Sequence, residues 1–210
     1  MKIKKLFLIL CILSLCFTLS YSGITADKLK VIARQSVAAG GGPTTLNVLP
    51  NEDQYLAWDL TGESTAWEAT DDPVGTPDDG TTEAHNDANY ETFRLGFVTP
   101  SFSATTVEKI RVTVRGKMDV GADNILVYLR VNGTNYGGAD GILIDLTTSW
   151  AEYITAEWTD NPETDTAWTE ADLEETSGAP FQGVNFQTQS LDASEIQYIT
   201  QTYITIFYTP

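Results

Sequence analysis

Residues 196–208 read IQYITQTYITIFY, a stretch dominated by β-branched and aromatic side chains. Such residues favour the pleated surface of a β-strand. Large side chains occupy both sets of alternating positions, so both faces of this strand are predicted to be covered by neighbouring structure. The stretch therefore predicts an all-β protein with this C-terminal strand at the centre of a sheet.

Upstream segments show the two-residue alternation of half-buried strands. Between residues 110 and 115, branched apolar residues alternate with arginine and threonine. Further along, Leu126, Tyr128 and Arg130 alternate with a purely apolar set, which predicts that these three side chains lie on the opposite face of the strand from that set. The predicted strands span 44–49, 54–59, 65–69, 91–98, 108–118, 124–132, 141–146, 151–158, 182–188 and 195–208.

One short helix is predicted near residues 170–175. Thr169 can cap its first turn, and Asp172 stands three residues on, as in a weak form of the capping box. Long helical periodicity is absent elsewhere. Many short strands in one stretch of chain predict an antiparallel two-sheet sandwich of the jelly-roll type over residues 44–210.

The N-terminus has the pattern of a secretory signal peptide over residues 1–22. Three lysines precede Leu6–Leu19, a run of 14 almost wholly apolar residues that is short of the roughly 20 needed to span a bilayer. Ser20 and Ser22 are the small residues that precede a cut after position 22. We expect a secreted protein, extracellular or at the cell surface, without membrane insertion after cleavage. Lipid attachment at Cys16 and a retained anchor are the alternatives.

Composition excludes several classes of function. Both cysteines lie within residues 1–22, so disulfides and thiolate chemistry are not expected in the mature chain. The single histidine, His85, excludes a histidine-based triad and a multi-histidine metal site; it is predicted to be an exposed loop residue. The chain has 12 basic and 29 acidic residues, a formal net charge of −17, which argues against a nucleic-acid partner. No nucleophile elbow, phosphate loop or dinucleotide fingerprint is present, so no enzyme is predicted.

Residues 23–43 are predicted to form a basic, strand-like arm. Its last residues are three glycines and Pro43, which predict a flexible hinge. In an extended arm, one face is apolar and the other is basic. The apolar face consists of Leu29, Val31, Ala33 and Val37, and the basic face consists of Lys28, Lys30 and Arg34.

Charge and hinge together suggest what the arm does. It has a net charge of +2, whereas residues 44–210 hold six basic and 28 acidic residues, which gives −22. A detachable strand of opposite charge suits addition to the sheet of a neighbouring copy. This predicts a secreted structural subunit that assembles with itself into an extracellular filament or surface layer by donor-strand-type exchange. Pairing of the arm with its own domain is the alternative.

A distinctive pattern lies in the C-terminal part of the chain. There, a strand ends in tryptophan, an Asn-Pro turn and a Trp-Thr pair follow, and a short helix precedes the final strand. The pattern consists of Tyr153, Trp158, Asn161, Pro162, Ala167, Trp168, Thr169, Asp172, Leu173, Gly183, Val184 and Tyr208. It resembles the jelly-roll β-sandwich domain of many uncharacterised secreted and phage-associated structural proteins. The resemblance covers residues 44–210 and implies the fold, but it implies no catalytic residues.

An acidic stretch between residues 68 and 91 is the candidate metal site. Calcium takes six to eight oxygen ligands, and a long loop rich in carboxylates could supply them. The candidate ligands are Asp71, Asp72, Asp78, Asp79 and Asp87. Their spacing fits no EF-hand loop, so a solvated loop that keeps the protein soluble is the alternative. No cofactor other than calcium is suggested.

Tryptophans provide a second candidate site. Exposed indoles stack on the apolar faces of sugar rings, and Trp67 and Trp168 both flank acidic stretches. Core packing is the alternative for either residue. A carbohydrate-binding module with a glycan as its partner is therefore the alternative function for the chain.

Overall fold

The structure is a computed structural model that describes residues 43–99, 101–121, 123–137, 141–174, 181–189 and 195–210. The signal peptide predicted for residues 1–22 and the arm predicted for 23–43, apart from Pro43, lie outside these residues. Within the described ranges, no helix is long and apolar enough to cross a membrane.

Short strands make up most of the described chain. They are β1 (Thr44–Val48), β2 (Glu52–Leu56), β3 (Asp59–Thr61), β4 (Glu83–Asn86), β5 (Thr92–Gly96), β6 (Thr106–Met118), β7 (Asp123–Val131), β8 (Thr134–Tyr136), β9 (Ile142–Leu146), β10 (Ala151–Trp158), β11 (Asp160–Asn161), β12 (Thr166–Ala167), β13 (Phe181–Thr188) and β14 (Gln197–Thr209). Within the ranges that the structure describes, one α-helix, α1 (Glu170–Leu173), and one 3-10 helix, Glu68–Thr70, complete the elements.

Twelve of these strands form two antiparallel sheets that enclose one apolar core. Sheet A has the order β10-β6-β14-β4-β3, and β1 also pairs with β14. Sheet B has the order β2-β5-β13-β7-β8, and β9 also pairs with β7. Strand β14 lies between β6 on one side and β1 and β4 on the other. The predicted all-β sandwich and the central position of its last strand are confirmed.

Alternation along the strands sends one set of side chains into the core. Strand β6 buries Ile110, Val112 and Val114 completely. Opposite them in sheet B, Phe93 and Phe186 are fully buried and their ring centroids lie 4.6 Å apart. Burial of each such side chain stabilises the fold by roughly 1.5–3 kcal/mol. The alternate positions of both sheets face outward.

Helix α1 lies where the capping pattern predicts a helix. The backbone N–H of Thr169 donates to Asp172 Oδ2 over 2.8 Å, and this bond stabilises the first turn. Leu173 at the end of the helix is buried. The helix is thus fixed at one end by a cap and at the other by the core.

Residues 65–69 differ from prediction, because they form a turn and the start of the 3-10 helix rather than a strand. The carboxylate of Asp53 accepts hydrogen bonds from the backbone N–H groups of Ala66, at 3.0 Å, and Trp67, at 2.8 Å. These N–H groups are therefore satisfied by a side chain, and no strand partner is needed.

Strand β4 was expected to be part of a long acidic loop. Its four residues pair with β14 on one side and with β3 on the other. His85 is consequently a partly buried strand residue, and its ring stacks on Tyr198 with centroids 5.8 Å apart. The prediction of an exposed loop histidine was wrong, since pairing with distant strands decided the local structure.

Candidate functional site

The sandwich has two outer faces, one on each sheet, and they differ in chemistry. The outer face of sheet A carries the basic side chains of β6, which alternate with its buried apolar residues. On this face, Lys109 Nζ lies 2.7 Å from Glu157 Oε2. Arg115 Nε donates to Asp79 Oδ1 over 2.6 Å, and this bond raises the pKa of Arg115. These cations therefore serve internal ion pairs.

Aromatic rings on the same face are covered by cations. Lys109 Nζ lies 4.7 Å from the ring centroid of Phe207. Lys117 Nζ lies 4.9 Å from the centroids of both Trp150 and Tyr198. Cation–π contacts of this kind hold the ammonium group over the ring face. The rings of sheet A are thus engaged by the protein's own side chains.

The acidic segment that follows the 3-10 helix also lies across sheet A. Gln201 Nε2 donates to the carbonyl oxygens of Asp72, at 2.7 Å, and Pro73, at 2.9 Å. The backbone N–H of Asp78 donates to Asp72 Oδ2 over 2.8 Å. Burial, together with the nearby carboxylate of Asp78, raises the pKa of Asp72. The segment therefore covers part of the outer face of sheet A.

The five predicted calcium ligands are not brought together as one group. Asp72 and Asp78 are neighbours, whereas Asp79 is paired with Arg115. Asp71 pairs through its backbone with Gln201, and Asp87 is exposed beyond the end of β4. Among the residues that the structure describes, no set of three or more histidine, cysteine or acidic side chains forms a metal-binding arrangement.

The two predicted sugar-stacking tryptophans lie in different environments. Trp67 is partly buried and packs against the core. Trp168 is only 3% exposed, and its Nε1 donates to the carbonyl oxygen of Trp158 over 3.1 Å. A buried indole presents no ring face to a sugar, so the stacking role expected of Trp168 is corrected to a core role.

Sheet B carries a different surface, which we call the tyrosine–arginine face. In one row across four strands, Tyr55 of β2 pairs with Arg94 of β5, Arg94 with Asn185 of β13, and Asn185 with Tyr128 of β7. The residues flanking Arg94, Asn185 and Tyr128 in sequence are fully buried, so this row points outward. Arg130, two residues beyond Tyr128 on β7, faces the same way.

Contacts within the row hold its side chains in place. The Arg94 Cζ atom lies 5.2 Å from the ring centroid of Tyr55, which is 49% exposed. Arg94 Nε donates to Asn185 Oδ1 over 3.0 Å. The hydroxyl of Tyr128 donates to Gln187 Oε1 over 3.3 Å. Asn185 is only 1% exposed, so its amide holds Arg94 in place, and the accessible part of the row consists of the Tyr55 ring and the partly exposed Arg94 and Tyr128.

The two arginines of this face are bound by amides and not by acids. Arg130 Nη1 donates to Asn135 Oδ1 over 3.0 Å, as Arg94 does to Asn185. Within the described part of the chain, the ion pairs within 4.0 Å all involve sheet A cations, and neither Arg94 nor Arg130 is among them. Burial and the positive charge of Arg94 lower the pKa of Arg130. Both cations thus keep their charge without a carboxylate partner.

Sequence reasoning found the orientation of part of this face but not the face itself. Leu126, Tyr128 and Arg130 were predicted to share the face of β7 opposite its purely apolar set; in the structure Tyr128 and Arg130 are partly exposed there, whereas Leu126 is buried. Tyr55, Arg94 and Asn185 were not recognised, because the row depends on the register of four strands that are distant in sequence. The available signal was an arginine between two apolar residues in Phe93-Arg94-Leu95.

Comparison with known proteins gives distant likenesses only. The sequence matches no protein-family model and no curated protein. The CBM36-1 domain of a multidomain xylanase from the hindgut metagenome of Trinervitermes trinervoides is 12% identical, with a TM-score of 0.38, over 78% of this chain and 96% of that one. A CBM36 carbohydrate-binding module in complex with calcium and xylotriose is 10% identical, with a TM-score of 0.35, over 78% and 98%.

A third similar structure is the CBM22-1 xylan-binding domain from Paenibacillus barcinonensis Xyn10C. It is 12% identical, with a TM-score of 0.37, over 80% of this chain and 88% of that one. These three structures resemble this chain in their β-sandwich fold, at 10–12% sequence identity.

Proposed function

We propose that this chain is a secreted glycan-binding protein and that the tyrosine–arginine face of sheet B is its binding surface. The observation that supports the proposal most is the row of Tyr55, Arg94, Asn185 and Tyr128, in which an exposed aromatic ring stands beside fixed polar groups. An oligosaccharide presents both apolar C–H faces and hydroxyl groups. A surface that combines rings with planar donors and acceptors can bind both.

The position of the row suits a ligand that binds without a large rearrangement of the protein. Its side chains stand on neighbouring strands of a six-stranded sheet, with the fully buried Phe93 and Phe186 beneath them. Three strand spacings of about 4.8 Å give the row a length of roughly 14 Å. A rigid platform reduces the entropy lost on binding, because its side chains are already ordered.

Sheet A offers less to a glycan. Its cations are paired with Glu157 and Asp79, and Phe207, Trp150 and Tyr198 lie beneath lysine side chains. These three rings are also partly buried, whereas Tyr55 is 49% exposed although the guanidinium group of Arg94 contacts its ring. The contrast supports sheet B as the binding surface.

A glycan-binding screen with purified residues 44–210 and the full mature chain tests this proposal. A hit is then measured by calorimetry with wild type, Tyr55→Ala and Ile154→Ala. Ile154 is 57% exposed on the opposite outer face, so it controls for the loss of an exposed apolar side chain. We expect Tyr55→Ala to weaken binding about tenfold, or 1.4 kcal/mol, and Ile154→Ala to change it little. Equal effects of the two variants, or no glycan bound by wild type, would reject the proposal.

Two further functions stay predictions. Self-assembly through Leu29, Val31, Ala33 and Val37 depends on an arm that lies outside the described residues. Deletion of residues 23–38 should abolish assembly and leave a folded monomer, as size-exclusion chromatography would show. Calcium binding by the acidic segment should appear as a loss of thermal stability on chelation, because a ligand that binds only the folded state stabilises it.

A further inference from the structure

We infer that the tyrosine–arginine face selects glycans that carry acidic groups, carboxylate or sulfate, and that Arg94 and Arg130 recognise these groups. This inference rests on the proposed function, since it specifies the class of glycan bound at the same site. Each guanidinium group has five N–H donors and forms one hydrogen bond to an asparagine oxygen within the described residues.

The partners of these arginines leave their charge uncompensated. An amide oxygen orients a guanidinium group without cancelling its charge, whereas a carboxylate does both. In a body with six basic and 28 acidic residues, acids are available for pairing, and three cations of sheet A use them. Arg94 and Arg130 use Asn185 and Asn135 in their place. This arrangement keeps two positive charges available for a ligand.

The sheet register leaves space beside these charges. Arg94 and Arg130 stand on β5 and β7, on either side of β13, and their rows are two residues apart along β13, at Asn185 and Gly183. Two strand spacings and two residues along the strand put their Cα atoms about 12 Å apart. Directly beside Arg130 on β13 lies Gly183, which has no side chain. A Cβ atom at Gly183 would come 2.0 Å from the carbonyl oxygen of Leu95, so no larger residue fits there. Position 183 therefore presents no side chain beside Arg130, whose guanidinium group is held from the opposite side by Asn135 of β8.

Electrostatics favour an anion at this position. Burial is the larger cause of the lowered pKa of Arg130, and the positive charge of Arg94 is the second cause, so the charge of Arg94 disfavours that of Arg130. A negative group bound at either guanidinium group relieves this repulsion and gains charge-assisted hydrogen bonds. Three acidic side chains lie near this face. The side chain of Glu52 lies over Gly96 on the far side of Gly183, Glu163 accepts a hydrogen bond from Asn132 two residues beyond Arg130, and Asp145 is exposed on β9. At physiological salt the Debye length is about 8 Å, so more distant acids are largely screened.

The test compares glycans that differ only in charge. Hexagalacturonate and its methyl ester are titrated into wild type, Arg94→Gln, Arg130→Gln and Arg111→Gln, with melting temperatures recorded as a check of folding. Arg111 lies on the outer face of sheet A beside Glu157, so its variant loses the same charge away from the site. Unsulfated chondroitin and chondroitin 4-sulfate then distinguish carboxylate from sulfate as the preferred group.

We expect wild type to bind the acid more tightly than the ester, and Arg94→Gln and Arg130→Gln to lose about tenfold in affinity for the acid only. Arg111→Gln should behave as wild type. Equal binding of acid and ester by wild type would overturn this inference and leave the proposed function standing. An acid preference that survives both substitutions would overturn it as well. Absence of binding to any glycan, neutral or acidic, would instead reject the proposed function.

Discussion

The two outer faces of the sandwich contain similar residue types but use them differently. Sheet A places arginine against carboxylate, as in Arg115 with Asp79, and covers its rings with lysine. Sheet B places arginine against amide, as in Arg94 with Asn185, and leaves the ring of Tyr55 half exposed. The pKa of Arg115 is raised by its partner, whereas that of Arg130 is lowered by burial and by Arg94.

This difference shows how a strongly acidic protein can keep a basic site. Ion pairs engage Lys109, Arg111 and Arg115 of sheet A. The pair of Arg115 with Asp79, together with the hydrogen bond from Thr200 to the carbonyl oxygen of Thr82, connects the acidic segment 71–82 to the sheet. Uncharged partners in sheet B hold the guanidinium groups in position but leave their charge unmatched. The two faces therefore differ in how their arginines are paired and not in the residue types that they contain. The pairing on sheet A stabilises the fold, whereas the pairing on sheet B suits a ligand.

The largest expected effect comes from giving an arginine of sheet B a carboxylate partner, as the arginines of sheet A have. Asn185→Asp would place a carboxylate where Asn185 Oδ1 now lies, 3.0 Å from Arg94 Nε. We expect affinity for hexagalacturonate to fall about tenfold or more, because the charge that attracts the ligand is neutralised. Asn47→Asp adds the same charge on the outer face of sheet A and serves as the control. Isothermal titration calorimetry would measure both, and equal losses would refute the assignment of the site to sheet B.

A smaller effect concerns folding stability. Arg115→Gln removes the two-point pairing with Asp79, and we expect the free energy of unfolding to fall by about 1–2 kcal/mol. Arg130→Gln removes a charge that is repelled by Arg94, so its effect should stay within about 0.5 kcal/mol. Urea unfolding of both variants measures the difference. An Arg130→Gln loss as large as that of Arg115→Gln would show that Arg130 has a structural role.

The smallest expected effect is a pH dependence in the acidic segment. The pKa of Asp72 is raised above 3.8 by burial and by the nearby carboxylate of Asp78. A raised carboxyl pKa means that the folded state holds its proton more tightly, so stability falls as the pH rises from 3.8 through the folded-state value and is then constant. Asp72→Asn should therefore gain stability relative to wild type as the pH rises through this window. Thermal unfolding across that range measures the gain, and two parallel curves would contradict the assignment.

Residue patterns within single segments of the sequence predicted much of the fold. The alternation in β6 and β7 indicated which side chains are buried, and the two covered faces of β14 indicated a central strand. Thr169 and Asp172 located the helix. These features are encoded by residues close together in sequence, where the side-chain period of a strand and the geometry of a cap act directly.

Features that depend on distant pairing escaped prediction. Strand β4 lacks a run of β-branched residues, and its extended form comes from β14 and β3. Burial of Trp168 depends on the packing of the sandwich around it. The tyrosine–arginine face needs the register of β2, β5, β13 and β7, which no single segment reveals. Strand propensity depends on such context.

Mapping a bound oligosaccharide onto the protein by NMR tests the central claim most directly. Titration of hexagalacturonate into isotope-labelled mature protein would report chemical-shift changes for backbone and side-chain groups across both sheets. We predict that the changes cluster at Tyr55, Arg94, Tyr128 and Arg130, and that residues of β6 such as Arg115 remain unaffected. Changes centred on the outer face of sheet A, or none on either face with any glycan, would contradict the account.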